Sequence, residues 1–140
     1  MNEDTPKSRV LLIEDDERLA QLIRDYLDRH AFAVTVVSRG DLAVAAVHQH
    51  RPALVVLDLM LPNLDGVEVC RRIRAFSDVP VLIMTARTDA YDQVAVLEAG
   101  ADDYITKPIE PRVLVARARA LLRRAHPASS DEAERVMLRK

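Results

Sequence analysis

The sequence has 140 residues, 49% of them hydrophobic, enough for one domain with a two-sided core plus a short extra segment. A formal net charge of -2 argues against a surface that coats nucleic acid. The single cysteine, Cys70, excludes a disulfide framework, no apolar run approaches a membrane span, and polar Met1 to Ser8 lacks a signal-peptide core, so a soluble cytoplasmic chain is expected.

Arg9 to Ile13 predicts a first strand, ending in Glu14-Asp15-Asp16. Asp16 reads as the cap of the helix that follows. Glu17 to Arg29 carries Leu19, Leu22, Ile23, Tyr26 and Leu27 at helical spacing. Ala33 to Val37 is rich in β-branched residues and predicts a second strand, interrupted at Gly40. Leu42 to His50 predicts a second helix, blocked by Pro52. Ala53 to Asp58 is an unbroken apolar run into one carboxylate, the pattern of a strand buried on both faces. Asp65-Gly66 signals a turn before a helix over Val67 to Arg74, in which Cys70 reads as buried and inert. Val81 to Met84 predicts another doubly buried strand, ending in Thr85. Ala90 to Ala99 reads as a helix stopped by Gly100. Asp103 to Ile105 predicts a short strand ending near Lys107-Pro108, and Pro111 opens a last helix to about Arg124.

Strict strand-helix alternation with short loops predicts an α/β fold, a doubly wound five-stranded parallel sheet with helices on both faces. The first, third and fourth strands are wholly apolar and so central, while the second and fifth suit edges. The expected order is 2-1-3-4-5, with its switch point between strands one and three. Asp58 and the acids after the first strand then converge on one crevice.

Glu14, Asp15 and Asp58 would crowd together there. Two carboxylates about 4 Å apart repel by roughly 4 kcal/mol at an effective dielectric near 20, and a divalent cation resolves this. Oxygen-only ligands with positions left for water and phosphate favour Mg²⁺ over Zn²⁺. Thr85 and Lys107, at the ends of the fourth and fifth strands, supply a hydroxyl and an ammonium for a phosphate cradle. Asp58 is then the nucleophile that forms an aspartyl phosphate. His30, His48, His50 and His126 read as surface or helix-end residues.

Five dispersed motifs resemble the receiver domain of two-component response regulators over residues 8–125. They are Ile13-Glu14-Asp15-Asp16, Leu57 to Pro62 with Asp58, Asp65-Gly66, Met84-Thr85-Ala86-Arg87, and Gly100 to Pro108. The resemblance implies metal ligation by Glu14, Asp15, Asp58 and the Met60 backbone carbonyl. It implies phosphoacceptance at Asp58 from a histidine kinase, a Thr85–Lys107 phosphate pair, an aromatic switch at Tyr104 and a cis Lys107-Pro108 bond. The Met-Leu-Pro after Asp58 and the Gly-Ala-Asp-Asp-Tyr-Ile-Thr-Lys-Pro run resemble the OmpR/PhoB class, whose output is a winged-helix DNA-binding domain. That class dimerises through its fourth helix, fifth strand and fifth helix. Val94, Leu97 and Val115 match its apolar patch; Glu98, Asp102, Asp103, Arg117, Arg119 and Arg124 match its charged ring. Gln93, Val113 and Ile109 depart from the class, which usually has a base, an acid and a Phe there, so weaker or altered dimerisation is expected.

Residues 126–140 read as a linker toward an output domain beyond this sequence; a stand-alone receiver acting by protein–protein contact is the alternative. A small aspartate-nucleophile phosphatase is a further rival. Such hydrolases need an Asp two residues after the nucleophile, where this chain has Met60. No enzyme is therefore expected beyond self-catalysed phosphotransfer and slow autodephosphorylation.

Overall fold

A computed structural model describes residues 7–86 and 90–125, with the backbone alone described for residues 90–92. Strands β1 (Ser8–Ile13), β2 (Phe32–Val37), β3 (Leu54–Asp58), β4 (Val81–Thr85) and β5 (Asp103–Thr106) alternate with helices α1 (Glu17–Asp28), α2 (Ala43–His50), α3 (Gly66–Arg74), α4 (Ala90–Glu98) and α5 (Pro111–Ala125). The sheet has the order β2-β1-β3-β4-β5, with every pairing parallel. The expected fold class and order are both borne out.

Small departures have local causes. The expected break at Gly40 is a single 3-10 turn, Gly40–Leu42, that leads into α2. Arg51 takes a left-handed conformation at the end of α2, with φ 46, because Pro52 bars a further helical turn. Gly100, φ 101, stops α4 as a glycine can. Asp16 caps α1 by accepting from the Leu19 N–H, and Asp65 caps α3 by accepting from Val67.

The two-residue strand period divides the core in two. Val10 and Leu12 of β1, Leu54 and Val56 of β3, and Leu82 and Met84 of β4 face α1 and α5. Leu11, Ile13, Val55, Leu57, Val81 and Ile83 face the layer containing α2 and α3. Both faces of the central strands are covered, which is why they read as unbroken apolar runs. All four carboxyl ends that matter, after β1, β3, β4 and β5, therefore open on the same sheet edge.

Candidate functional site

Asp58 is the last residue of β3 and stays within the sheet: it aligns with Met84 of β4, and the next amide, Leu59, donates to the Met84 carbonyl. Its side chain is almost wholly buried. Asp58 Oδ1 accepts from the Met60 N–H at 3.1 Å, so the chain turning away from β3 holds the carboxylate. Glu14 follows β1 directly, and its N–H donates to Val37 of β2, which extends the sheet by one residue and fixes where the side chain starts.

Glu14, Asp15 and Asp58 each offer a carboxylate oxygen, all within 4.8 Å of one another, and only Asp15 is exposed. Lys107 Nζ lies 3.2 Å from Asp58 Oδ2 and 3.9 Å from Glu14 Oε1. Glu14 Oε2 accepts from the Asp16 N–H, while the buried Oε1 has no hydrogen-bond partner. Burial pushes the Glu14 carboxyl up to about 8; the Asp16 N–H opposes this, the neighbouring Asp58 adds to it and the Lys107 charge opposes it. One ammonium for three acids leaves an orphaned buried acceptor and a carboxyl reluctant to ionise. The donor set is all oxygen, with one member facing solvent, and it fits a hard divalent cation that keeps some of its water.

Thr85, buried, closes β4 beside this cluster and aligns with Thr106 of β5. Its carbonyl accepts from the Lys107 N–H at 2.8 Å, so the two expected phosphate-binding residues share a backbone hydrogen bond. The Lys107-Pro108 bond is cis, as the resemblance implied. Tyr104 aligns with Ile83, one turn of the pleat before the Thr85 pair, and is half-buried. Met60 is 53% exposed, at the mouth of the site. Arg87 lies outside the described residues, as do His126 and the expected linker 126–140.

The expected dimer face is partly redrawn. Val94 and Leu97 are each 51% exposed on α4, and Glu98 is exposed, as a surface patch requires. Val115 is not on the surface: it is 5% exposed and packs into the core between the sheet and α1. The large apolar residue exposed on that helix, among the described residues, is Val113, which shares a groove with Asp103, Arg117 and Arg124. Arg119 is exposed but points away from that groove, being roughly 200° around the helix from Arg117. Arg117 pairs with Asp103 of its own chain at 3.0 Å. Asp102, though exposed, is tied to its own chain, accepting from Arg74 and from the Val81 N–H at 2.8 Å each.

Two positioning residues escaped the sequence reading. Arg74 enters the sequence only as the end of the helix from Val67, yet its guanidinium is turned inward, 23% exposed. Gly40 reads as a strand breaker, yet a Cβ there would come within 3.1 Å of Leu61, Leu64 and Val69, so it lets the chain lie against the segment that follows Asp58. Spacing carries no signal for either, because each depends on a neighbour distant in sequence.

Residues 10–119 match the family described as "Response regulator receiver domain". The chain is 47% identical over 127 residues to transcriptional regulatory protein BaeR of Escherichia coli O6:H1, covering 91% of this chain and 52% of that protein. It is 50% identical over 121 residues to DNA-binding response regulator MtrA of Mycobacterium tuberculosis H37Rv, covering 86% and 53%. The chain thus spans about half the length of the curated relatives it matches. Among solved structures, the BeF3-activated N-terminal receiver domain of Klebsiella pneumoniae RstA superposes with a TM-score of 0.79 at 39% identity, covering 82% of this chain and 98% of that one. Among the described residues, no helix is long and apolar enough to cross a membrane. With its sheet order, its acid cluster and its lysine at the end of β5, this chain belongs to the response regulator receiver family.

Proposed function

We propose that this chain is a receiver, residues 8–125, that takes a phosphoryl group onto Asp58 from a histidine kinase and so controls a transcriptional output. One observation carries the reading: three carboxylates within 4.8 Å of one another, with a lysine ammonium 3.2 Å from the buried Asp58 that ends β3, at the carboxyl edge of a 2-1-3-4-5 sheet. Glu14, Asp15, Asp58 and the Met60 carbonyl would hold Mg²⁺. When bound, it supplies the positive charge that lets acids and phosphoryl oxygens share one pocket.

An Asp58 carboxylate oxygen attacks phosphorus; the bond from phosphorus to the kinase imidazole nitrogen breaks, and its electron pair stays with that nitrogen. Lys107 and the Thr85 hydroxyl bind the transferred oxygens. Met60 offers no acid or base to an attacking water, so the phosphoryl state persists and multiple-turnover hydrolysis is not its task.

Phosphorylation shifts a population toward a dimer through α4, β5 and α5. The apolar residues on that face are Val94, Leu97 and Val113. The charges are Glu98, Asp103, Arg117 and Arg124, with Asp102 and Arg119 set apart from it. Residues 126–140 connect this domain to a DNA-binding half such as the relatives' names describe, and the protein works in the cytoplasm. The test is labelling by a small acyl phosphate with and without Mg²⁺, for wild type and Asp58→Asn. Stable, stoichiometric, Mg²⁺-dependent labelling of wild type alone is expected. Labelling that survives Asp58→Asn overturns the acceptor assignment, turnover without accumulation favours a phosphatase, and no labelling favours a pure interaction module.

A further inference from the structure

The guanidinium of Arg74, at the end of α3, gathers one corner of the molecule. Its Nε and Nη2 both donate to the Gly100 carbonyl, at 3.0 and 2.8 Å. Nη1 donates to the Ser77 and Val79 carbonyls, at 3.0 and 2.7 Å, and Nη2 also reaches Asp102 Oδ2 at 2.8 Å. The same Asp102 oxygen accepts from the Val81 N–H, while the Asp102 N–H donates to the Val81 carbonyl at 2.9 Å. One side chain, 23% exposed, ties α3, the start of β4 and the α4–β5 connection. Cys70, a turn earlier on α3, adds a weak contact from Sγ to the Ala99 carbonyl at 3.6 Å. A Cβ on Gly100 would come within 2.9 Å of Arg74 Cγ, so the connection is fitted closely to this side chain.

The position of this clamp matters. Thr85 ends β4 at the acid cluster and Val81 begins it, roughly 13 Å away at about 3.3 Å per residue. Because β4 and β5 are parallel, α4 must run back from the Thr85 end to the Val81 end. Its C-terminal end therefore lies at the clamp and its N-terminal end beside the phosphoryl site. Charge-assisted hydrogen bonds are the strong ones, and several converge on the far end of α4.

We infer that Arg74 is a positioning residue that makes the C-terminal end of α4 a fixed pivot, so that a change at Thr85 moves the N-terminal part of α4 as a lever. This rests on the reading of Asp58 as the phosphoryl acceptor. Asp102 belongs to the pivot and is not a free acid for a partner subunit.

The experiment is hydrogen exchange along α4 and the residues up to Asp102, with and without beryllofluoride and Mg²⁺, at concentrations where sedimentation shows monomer. Wild type, Arg74→Met, Arg74→Lys and Asp102→Asn are compared, and acyl phosphate labelling of each is measured alongside. In wild type the change on beryllofluoride is expected in the N-terminal part of α4, with Gly100 to Asp102 unchanged. In Arg74→Met exchange at Gly100 to Asp102 rises about tenfold or more, the loss expected from a charged hydrogen bond, and the beryllofluoride response spreads to that end. Arg74→Lys restores part of the confinement, and labelling stays near wild type in all variants. If Arg74→Met does not fold, Asp102→Asn carries the comparison, since it keeps an acceptor for Val81 and loses the charge facing Arg74. A wild-type response that is uniform along α4, or one equally confined in the folded variants, overturns the pivot. Absence of labelling in wild type overturns the acceptor reading instead, and the pivot with it.

Discussion

Lys107 Nζ stands 3.2 Å from Asp58 Oδ2, a pairing between a strand-end acid that is 2% exposed and a lysine that reaches it from beyond the next-but-one strand. That ammonium competes with any metal for the same carboxylates. Lys107→Met is expected to bind Mg²⁺ several-fold more tightly and to take up the phosphoryl group at least tenfold more slowly, since the charge that holds the transferred oxygens is gone. Mg²⁺ titration by calorimetry and an acyl phosphate time course measure the two. Weaker Mg²⁺ binding would mean that the lysine organises the metal site instead of competing with it.

The acid cluster sets a pH dependence for the metal-free chain. Glu14 is raised from 4.5 to about 8, chiefly by burial. Between those two values the folded state holds a proton that the unfolded state has released. Stability from this group is therefore complete below about 4.5 and lost as pH rises toward 8. Urea unfolding in chelator should show wild type losing stability over that window. Glu14→Gln should lose less and be the more stable protein at pH 8. Saturating Mg²⁺ should remove much of the wild-type loss, because metal binding favours the ionised carboxylate. A Glu14→Gln profile parallel to wild type counts against the burial argument.

Close backbone approach separates two glycines. A Cβ on Gly66 would lie 2.7 Å from Leu59 Cα and 2.9 Å from the Asp58 carbonyl oxygen, both backbone atoms that cannot step aside. A Cβ on Gly40 would meet its neighbours at 3.1 Å, two of them side-chain ends. Gly66→Ala should cost about 3 kcal/mol and Gly40→Ala about 1 kcal/mol, within the usual range for overpacking. Chemical denaturation decides the order, and equal costs would contradict it.

The redrawn dimer face gives a paired test on α5. Val115→Ala should lower unfolding stability by roughly 1–2 kcal/mol, because it removes buried methyl groups. Val113→Asp should leave stability within about 0.5 kcal/mol, as exposed substitutions do. In sedimentation with beryllofluoride and Mg²⁺, Val113→Asp and Leu97→Asp should both weaken the mass increase expected of wild type. If both dimerise like wild type, the association uses another face.

Met60 projects from the mouth of the site and is 53% exposed, so replacing it leaves the core intact. Met60→Asp is expected to shorten the phosphoryl lifetime, by giving an incoming water a base two residues from the acceptor. Decay of labelled protein after removal of the phosphodonor measures it. An unchanged or longer lifetime rejects the idea that the lack of an acid or base at Met60 preserves the phosphoryl state.

The sheet order, the helix positions and the acid cluster are all legible in the sequence, and for one reason. Strands buried on both faces are apolar almost to their ends, so Glu14, Asp58 and Thr85 mark the sheet edge where those runs stop, and Lys107 follows the short edge strand β5. Only the tertiary structure decided what long-range packing controls. Val115 and Val113 are two apolar residues two positions apart on one helix, and pattern alone does not say which meets α1 and the sheet. Asp102 and Asp103 are adjacent acids, but one is bound by Arg74 from α3 and the other by Arg117 from α5. A charge has no period that shows whether it faces water, a partner or an arginine from elsewhere in the chain; its role is fixed by which side chains the fold brings within hydrogen-bond reach.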